Sequence, residues 1–390
     1  MERRGFVLGC GCAGLLALAA AARAQWAAPD RFTRPDPATD EGGLWAIMDR
    51  EEKRIRRSAF LLRDQALNRY VGEMVCGMAG DHCPDVRTYL LRVPWFNASM
   101  APNGMMQVWS GLLLRMSNEA QLAAVLGHEI GHYLQRHSLE RLRDAKSRSA
   151  FAQFLGIALS AAGAGSAAPL AELAVLAGGF AYTRDQERDA DRIGLELMAG
   201  AGYAPIEASR VWAQLLEEQK AGEKDEDWSG SFLFASHPPS EERQQTLAEL
   251  AQARGGSTGG TGADRYRTML AAHRKEFLQD ELRRRKPSES LVLLERMLKD
   301  TPEDGELEFF KGEALRQRAG EGDLQRAVEA YGQAASRAGA PPEAYRSLGL
   351  VERSLSHGEA SQAAFRRYLE LKPDAQDAAM IRSYLEGGSR

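Results

Sequence analysis

The chain has 390 residues, 44% hydrophobic and 27% charged, with a formal net charge of −4. That length and composition fit two or three globular domains and argue against a disordered or fibrous chain. The mildly acidic balance, −6 without the first 24 residues, argues against a generally nucleic-acid-binding surface.

The N-terminus reads as an export signal. Arg3 and Arg4 precede an apolar stretch from Phe6 to Ala22, and Ala22-Arg23-Ala24 has the small-x-small form of a cleavage site. The stretch is short and rich in Ala and Gly, which disfavours a membrane anchor. Too little apolar sequence precedes Cys10 for a lipoprotein signal. Two of the four cysteines lie in this segment, so an exported chain keeps Cys76 and Cys83. In an oxidising compartment a short-loop disulfide between them is the expectation, with two buried thiols as the alternative.

A Pro- and Asp-rich lead (28–40) is followed by helical periodicity through Leu44, Ile47, Met48, Ile55, Leu62, Leu67, Val71 and Met74, which predicts two helices. Residues 86–93 are β-rich, and 97–109 contain the turn signal Pro102-Asn103-Gly104 between extended-looking residues. These predict a small sheet whose edge strand either binds an extended peptide or is an ordinary structural hairpin.

The next helix carries Leu126-Gly127-His128-Glu129-Ile130-Gly131-His132. Ser117 is its expected N-cap, and Leu122, Val125, Leu126, Ile130, Tyr133 and Leu134 recur at helical spacing. His128 and His132 fall one turn apart on one face, where two imidazoles can bind one zinc ion. Glu129 lies about 100° round the helix, placed to reach a water on the metal as a general base rather than to ligate. Gly127 and Gly131 each weaken a helix by roughly 1 kcal/mol relative to Ala, and suit a place where another backbone or a metal site comes close.

Residues 150–180 are dominated by Ala, Gly and Leu. Gln153, Pro169, Glu172 and the break at 163–166 divide them into segments too short to span a bilayer. A buried helical hairpin over the site is the expectation, with contact to a membrane surface or a hydrophobic client left open. In the following segment, 182–192, Glu187 can complete a two-histidine, one-glutamate site with an open position for water. Asp191, one turn on, can accept a hydrogen bond from the outer nitrogen of a ligand histidine. Ser138 stands where a third histidine of an alternative ligand set would be, and His137 is expected to point away. The charge run 217–227 is predicted to be a solvated loop. Ser236-His237-Pro238-Pro239 leads into a helix from about Ser240 with Arg243 in its first turn; taken alone, such a histidine is more often structural than catalytic.

The Gly- and Ser-rich stretch 254–262 reads as a flexible linker marking a domain boundary. Beyond it Leu294, Tyr331 and Phe365 are 37 and 34 residues apart, and Gly312 and Gly349 are 37 apart. Pro302, Pro341-Pro342 and Pro373 punctuate the units, and an insertion sits at 320–322. A period near 34 suggests TPR helical pairs, with an irregular helical bundle as the alternative.

Together, residues 98–113, 128–132, 187–191 and 237–243 resemble the zinc endopeptidases that include the CAAX prenyl endopeptidase and the membrane heat-shock protease HtpX. Within that family the chain is most similar to the exported, soluble members with a C-terminal TPR region, the β-barrel assembly-enhancing type of the bacterial periplasm. The resemblance implies one Zn2+ held by His128, His132 and Glu187, with Glu129 as catalytic base and Asp191 supporting a ligand from behind. It implies that His237 lies near the metal, where it can fill the open coordination position and keep the enzyme latent, and that Arg243 helps stabilise the oxyanion. Ser99-Met100 stands where many members have an aromatic residue. The expected fold is mainly α: an export signal (1–24), a zincin-like metalloprotease domain with a small sheet (25–253), a linker (254–264) and an all-α TPR solenoid (265–390). The expected clients are misfolded or misassembled outer-membrane proteins, with the assembly machinery as a partner of the TPR region. A periplasmic chaperone or scaffold with a latent metal site is the rival expectation.

Overall fold

The computed structural model describes residues 26–144, 182–223, 237 and 240–387. The export signal and the apolar 150–180 segment lie outside the described residues. The two expected helices are present, each started by a side-chain cap: Thr39 accepts from the Gly42 amide at the head of α1 (Asp40–Ile55), and Asp64 from the Leu67 amide at the head of α2 (Gln65–Ala79). A Cys76–Cys83 disulfide, Cα–Cα 4.6 Å, ties the end of α2 to the following 3-10 turn.

The sheet has three strands, β1 (Arg87–Leu91), β2 (Ala98–Met100) and β3 (Met105–Trp109), in the order β1-β3-β2. β3 is central, parallel to β1 and antiparallel to β2, which leaves β2 at an edge. Alternation splits the side chains of β3: Met105 and Trp109 pack with α1 residues Ile47 and Met48, whereas Met106 and Val108 enter the main core.

After α3 (Ser110–Arg115) comes α4 (Glu119–Leu134), whose residues are all buried except Ala124. Its N-cap is Asn118, one residue later than expected: the Asn118 side chain accepts from the Gln121 amide at 2.9 Å, while the Gln121 side chain takes the Ser117 amide at 2.8 Å. Around it lie α5 (His137–Asp144), α6 (Arg184–Gly200), α7 (Ile206–Gly222) and α8 (Glu241–Ala253). The charge run predicted as a solvated loop is helical in α7 as far as Gly222, and Glu218 is only 4% exposed because Arg115 and Arg296 neutralise it.

The glycine-rich stretch expected to be a flexible linker is pinned to the rest of the chain. Gly256 and Gly260 carbonyls accept from the Ile206 and Ala204 amides, and Thr261 from Ala120. Beyond it run α9 (Ala263–Arg283), α10 (Pro287–Asp300), α11 (Gly305–Arg318), α12 (Asp323–Ser336), α13 (Glu343–Ser354), α14 (Gly358–Leu371) and α15 (Ala378–Gly387). Glycine lets an aromatic ring enter each later pair: a Cβ on Gly312 would meet the Tyr331 ring at 2.5 Å, and one on Gly349 the Phe365 ring at 2.5 Å. One hydrophobic core runs without a break from Leu67 through α4 to Tyr331 and Val351.

A buried charge network crosses this junction. Arg115 donates to Glu218 at 2.6 Å and to Glu281 at 2.9 and 3.1 Å, and Ser290 donates to Glu281 at 2.9 Å. Burial pushes the Glu281 carboxyl up, but Arg115 and Arg284 outweigh it and hold the pKa at about 2, against 4.5 for an ordinary glutamate. Because the folded value lies below the unfolded one, this stabilisation is complete above about pH 4.5 and is lost as pH falls towards 2. Glu281→Gln removes one of the two carboxylate partners of Arg115 and of Arg284, leaving Glu218 and Glu289, so denaturant melts at pH 7 should show a loss of about 1–3 kcal/mol, and the pH dependence below 4.5 should flatten. An unchanged denaturation midpoint would contradict this.

Candidate metal centre

The site is assembled where α4 and α6 touch backbone to backbone. A Cβ on Gly127 would meet the Gly194 carbonyl oxygen at 2.8 Å, and one on Gly131 the Ala190 carbonyl oxygen at 2.9 Å. Thr183 and Gln186 form a capping box that fixes the start of α6, and Glu187 and Asp191 follow one turn apart on the face turned to α4. Ser240 caps α8 by accepting from the Arg243 amide, which points Arg243 inward.

His128, His132, Glu187 and His237 are all buried, and one donor atom from each lies within 4.8 Å of all the others. His128 Nε2 and His132 Nε2 are 3.0 Å apart. Glu187 Oε1 is 3.3 Å from His132 Nε2, and Oε2 is 3.6 Å from His128 Nε2. His237 Nδ1 is 2.7 Å from Glu187 Oε1 and 3.2 Å from His128 Nε2. Donor atoms around a tetrahedral ion with bonds of about 2.0–2.1 Å would lie roughly 3.3 Å apart, so this cluster has the right span.

The protonation pattern supports the same fit. Asp191 Oδ1 is 2.9 Å from His128 Nδ1, nearer than Arg243 Nη2 at 3.1 Å, and as an acceptor it favours the imidazole hydrogen on Nδ1, which leaves the Nε2 lone pair towards His132 and Glu187. Glu187 is held from outside the cluster by the Arg243 guanidinium, whose Nη1 lies 2.9 Å from Oε2, while Oε1 faces the imidazoles of His132 and His237. The ring nitrogens and the Glu187 carboxylate still converge on one point in a buried site, an arrangement that a metal cation placed there would satisfy. Burial pushes the His132 imidazole well below its ordinary pKa, the neutral form that a metal ligand needs. Burial acts to raise Glu187, but His237, His132 and His128 hold it well below the usual carboxylate range.

Glu129 is beside this cluster, 4% exposed, with Oε1 3.6 Å from His237 Nε2. Burial raises its pKa, which favours exchange of a proton. Burial works against a charged His237, yet the Glu129 and Glu187 carboxylates raise its pKa.

Arg243, expected to help at the oxyanion, lies against the donor cluster: its guanidinium grips Asp191 through Nε at 2.7 Å and Nη2 at 2.6 Å, pairs with Glu187 Oε2 through Nη1 at 2.9 Å and lies 3.6 Å over the Trp212 ring. It orients Asp191, and through it His128. One expectation changes. His137 was expected to point away on a continuous helix. Arg136 adopts a φ of +57°, α4 ends, and His137 folds back to put Nδ1 2.9 Å from His132 Nδ1. Tyr182, stacked on the His132 ring at 3.8 Å, and Trp212 gave no local signal of a role in the sequence.

A peptidase family M48 profile matches residues 61–251, which include all of these groups. The matched stretch is just under half of the chain and is similar to that family throughout. The chain is 28% identical over 263 residues to the β-barrel assembly-enhancing protease of Escherichia coli, covering 63% of this chain and 50% of that protein. It is 28% identical over 239 residues to the same-named protease of Yersinia pestis, covering 57% and 48%. It is also 31% identical over 160 residues to the mitochondrial metalloendopeptidase OMA1 of Arabidopsis thaliana, covering 40% and 30%. The chain spans about half the length of the bacterial relatives it matches. Among the described residues no helix is long and apolar enough to cross a membrane.

The site depends on the helix contact, which can be tested apart from chemistry. A methyl group on Gly194 would lie 2.6 Å from the His128 amide nitrogen, whereas one on Gly200 meets nothing within 4 Å. Gly194→Ala should cost about 1–3 kcal/mol in thermal or denaturant melts and weaken metal retention against a chelator. Gly200→Ala should leave retention unchanged and stability equal or higher by up to about 1 kcal/mol.

Proposed function

We propose that this chain is an exported zinc-dependent endopeptidase of the bacterial periplasm that hydrolyses misfolded or misassembled outer-membrane proteins. The buried cage of His128, His132 and Glu187 with Glu129 beside it carries this reading. The names of the bacterial relatives support the envelope clients, and the Cys76–Cys83 disulfide fits an oxidising compartment. The ring-into-glycine contacts Tyr331–Gly312 and Phe365–Gly349, at the spacing seen in the sequence, support a TPR reading of the C-terminal helices, which would recruit clients or assembly machinery.

A zinc ion held by His128, His132 and Glu187 would supply Lewis acidity to the scissile carbonyl and acidify a water. Glu129 takes a proton from the attacking water as its oxygen bonds to the carbonyl carbon. It returns that proton to the amide nitrogen as the C–N bond breaks. β2 offers its free edge to an extended peptide, with Ser99 half-buried between buried Ala98 and Met100.

His237 is the fourth donor of the cluster. The space bounded by Phe96, Ala98, Val125, Glu129, Trp212 and His237 is about 20 Å3, enough for one water. A peptide therefore needs His237 to withdraw, and this favours a latent enzyme over a permanently open one.

Casein cleavage by the purified chain with zinc, beside Glu129→Gln and His237→Ala, tests the proposal. His237→Ala should cleave faster than the parent, and Glu129→Gln should lose activity by about 10²-fold or more while keeping its zinc. Equal cleavage by parent and Glu129→Gln would refute the assignment of the base. Zinc-loaded parent and His237→Ala that both fail to cleave would favour a scaffold.

A further inference from the structure

His128 and His132 both present Nε2 to the metal cage, and each outer nitrogen has a partner. That of His128 is Asp191. That of His132 is His137, Nδ1 to Nδ1 at 2.9 Å.

The chain builds this second contact with care. The positive φ at Arg136 ends α4 and returns His137 against it, 3% exposed. Tyr182 lies nearly parallel on the His132 ring, 20° between planes, and the Tyr182 and Ser138 hydroxyls are 3.0 Å apart. The plane of His132 is thereby fixed, and with it the direction in which Nδ1 points.

We infer that His137 is the positioning residue for His132, accepting its Nδ1 hydrogen through the Nδ1 lone pair of a neutral ring whose own hydrogen is on Nε2. With Nε2 committed to the cage, the His132 hydrogen belongs on Nδ1, and His137 Nδ1 is the acceptor placed there. Asp191 performs this service for His128 with a carboxylate. A neutral acceptor orients His132 without adding a fourth carboxylate to Glu129, Glu187 and Asp191. The inference rests on the proposed metal site and concerns its orientation, not the peptide chemistry.

Zinc affinity, read by competition with a chromophoric chelator, tests it with no reference to activity. Asparagine can put Oδ1 where histidine has Nδ1, whereas glutamine places its amide further out, near the Nε2 position. His137→Ala and His137→Gln should bind zinc about 10–100-fold more weakly, and His137→Asn close to the parent. If the parent binds and all three variants match it, the inference fails while the metal centre stands. Should His137→Asn be as weak as His137→Gln, the acceptor role is refuted and His137 is there for packing. A parent that binds no zinc overturns the metal centre and the inference together. If His137→Ala fails to fold, by circular dichroism, the Asn and Gln pair still decides.

Discussion

Everything at the site follows from how closely α4 and α6 approach. With a Cβ at Gly127, Gly131 or Gly194 the two backbones would be forced apart, and Glu187 would leave the reach of His128 and His132. Glycine in a helix costs about 1 kcal/mol, and three are placed on one contact. The return is a set of donor atoms spaced for one ion by rigid helices rather than by loops, which is what a metal of fixed bond length demands.

Orientation is handed outward through packed groups. His128 leans on Asp191, Asp191 on the Arg243 guanidinium, and Arg243 on the Trp212 face, so the chain of support ends on α7. Six residues further along α7, Glu218 joins the charge network with Arg115, Glu281 and Arg296. The helices that frame the metal cage and those of the C-terminal array therefore share one core and one buried network. Glu281 of α9 and Arg296 of α10 are thus tied by ion pairs, directly or through Arg115, to the helix that carries Trp212.

Local pattern made part of this legible. The helical period around His128 and His132, the two glycines there, and the acids Glu187 and Asp191 one turn apart are all encoded within a few residues, and the structure brings these side chains and Glu129 together. What the sequence hid depends on non-local partners. His137 was misread because Arg136, with neither glycine nor proline to announce a break, takes a left-handed turn. Glu218 resembled a solvated charge because its arginines lie in α3 and α10. The glycines after Arg254 resembled a free linker because their hydrogen-bond partners are backbone groups of Gly202, Ala204 and Ile206, which no side-chain pattern reveals. Trp212 carries no sequence signal of its contact, because Arg243 reaches it from another helix.

Zinc K-edge X-ray absorption on the purified chain would test the central claim most directly. The account predicts one zinc per chain in a shell of nitrogen and oxygen only, at about 2.0–2.1 Å, with scattering from at least two imidazole rings. A chain that carries no zinc when supplied with it, or a shell containing sulfur at about 2.3 Å, would contradict it.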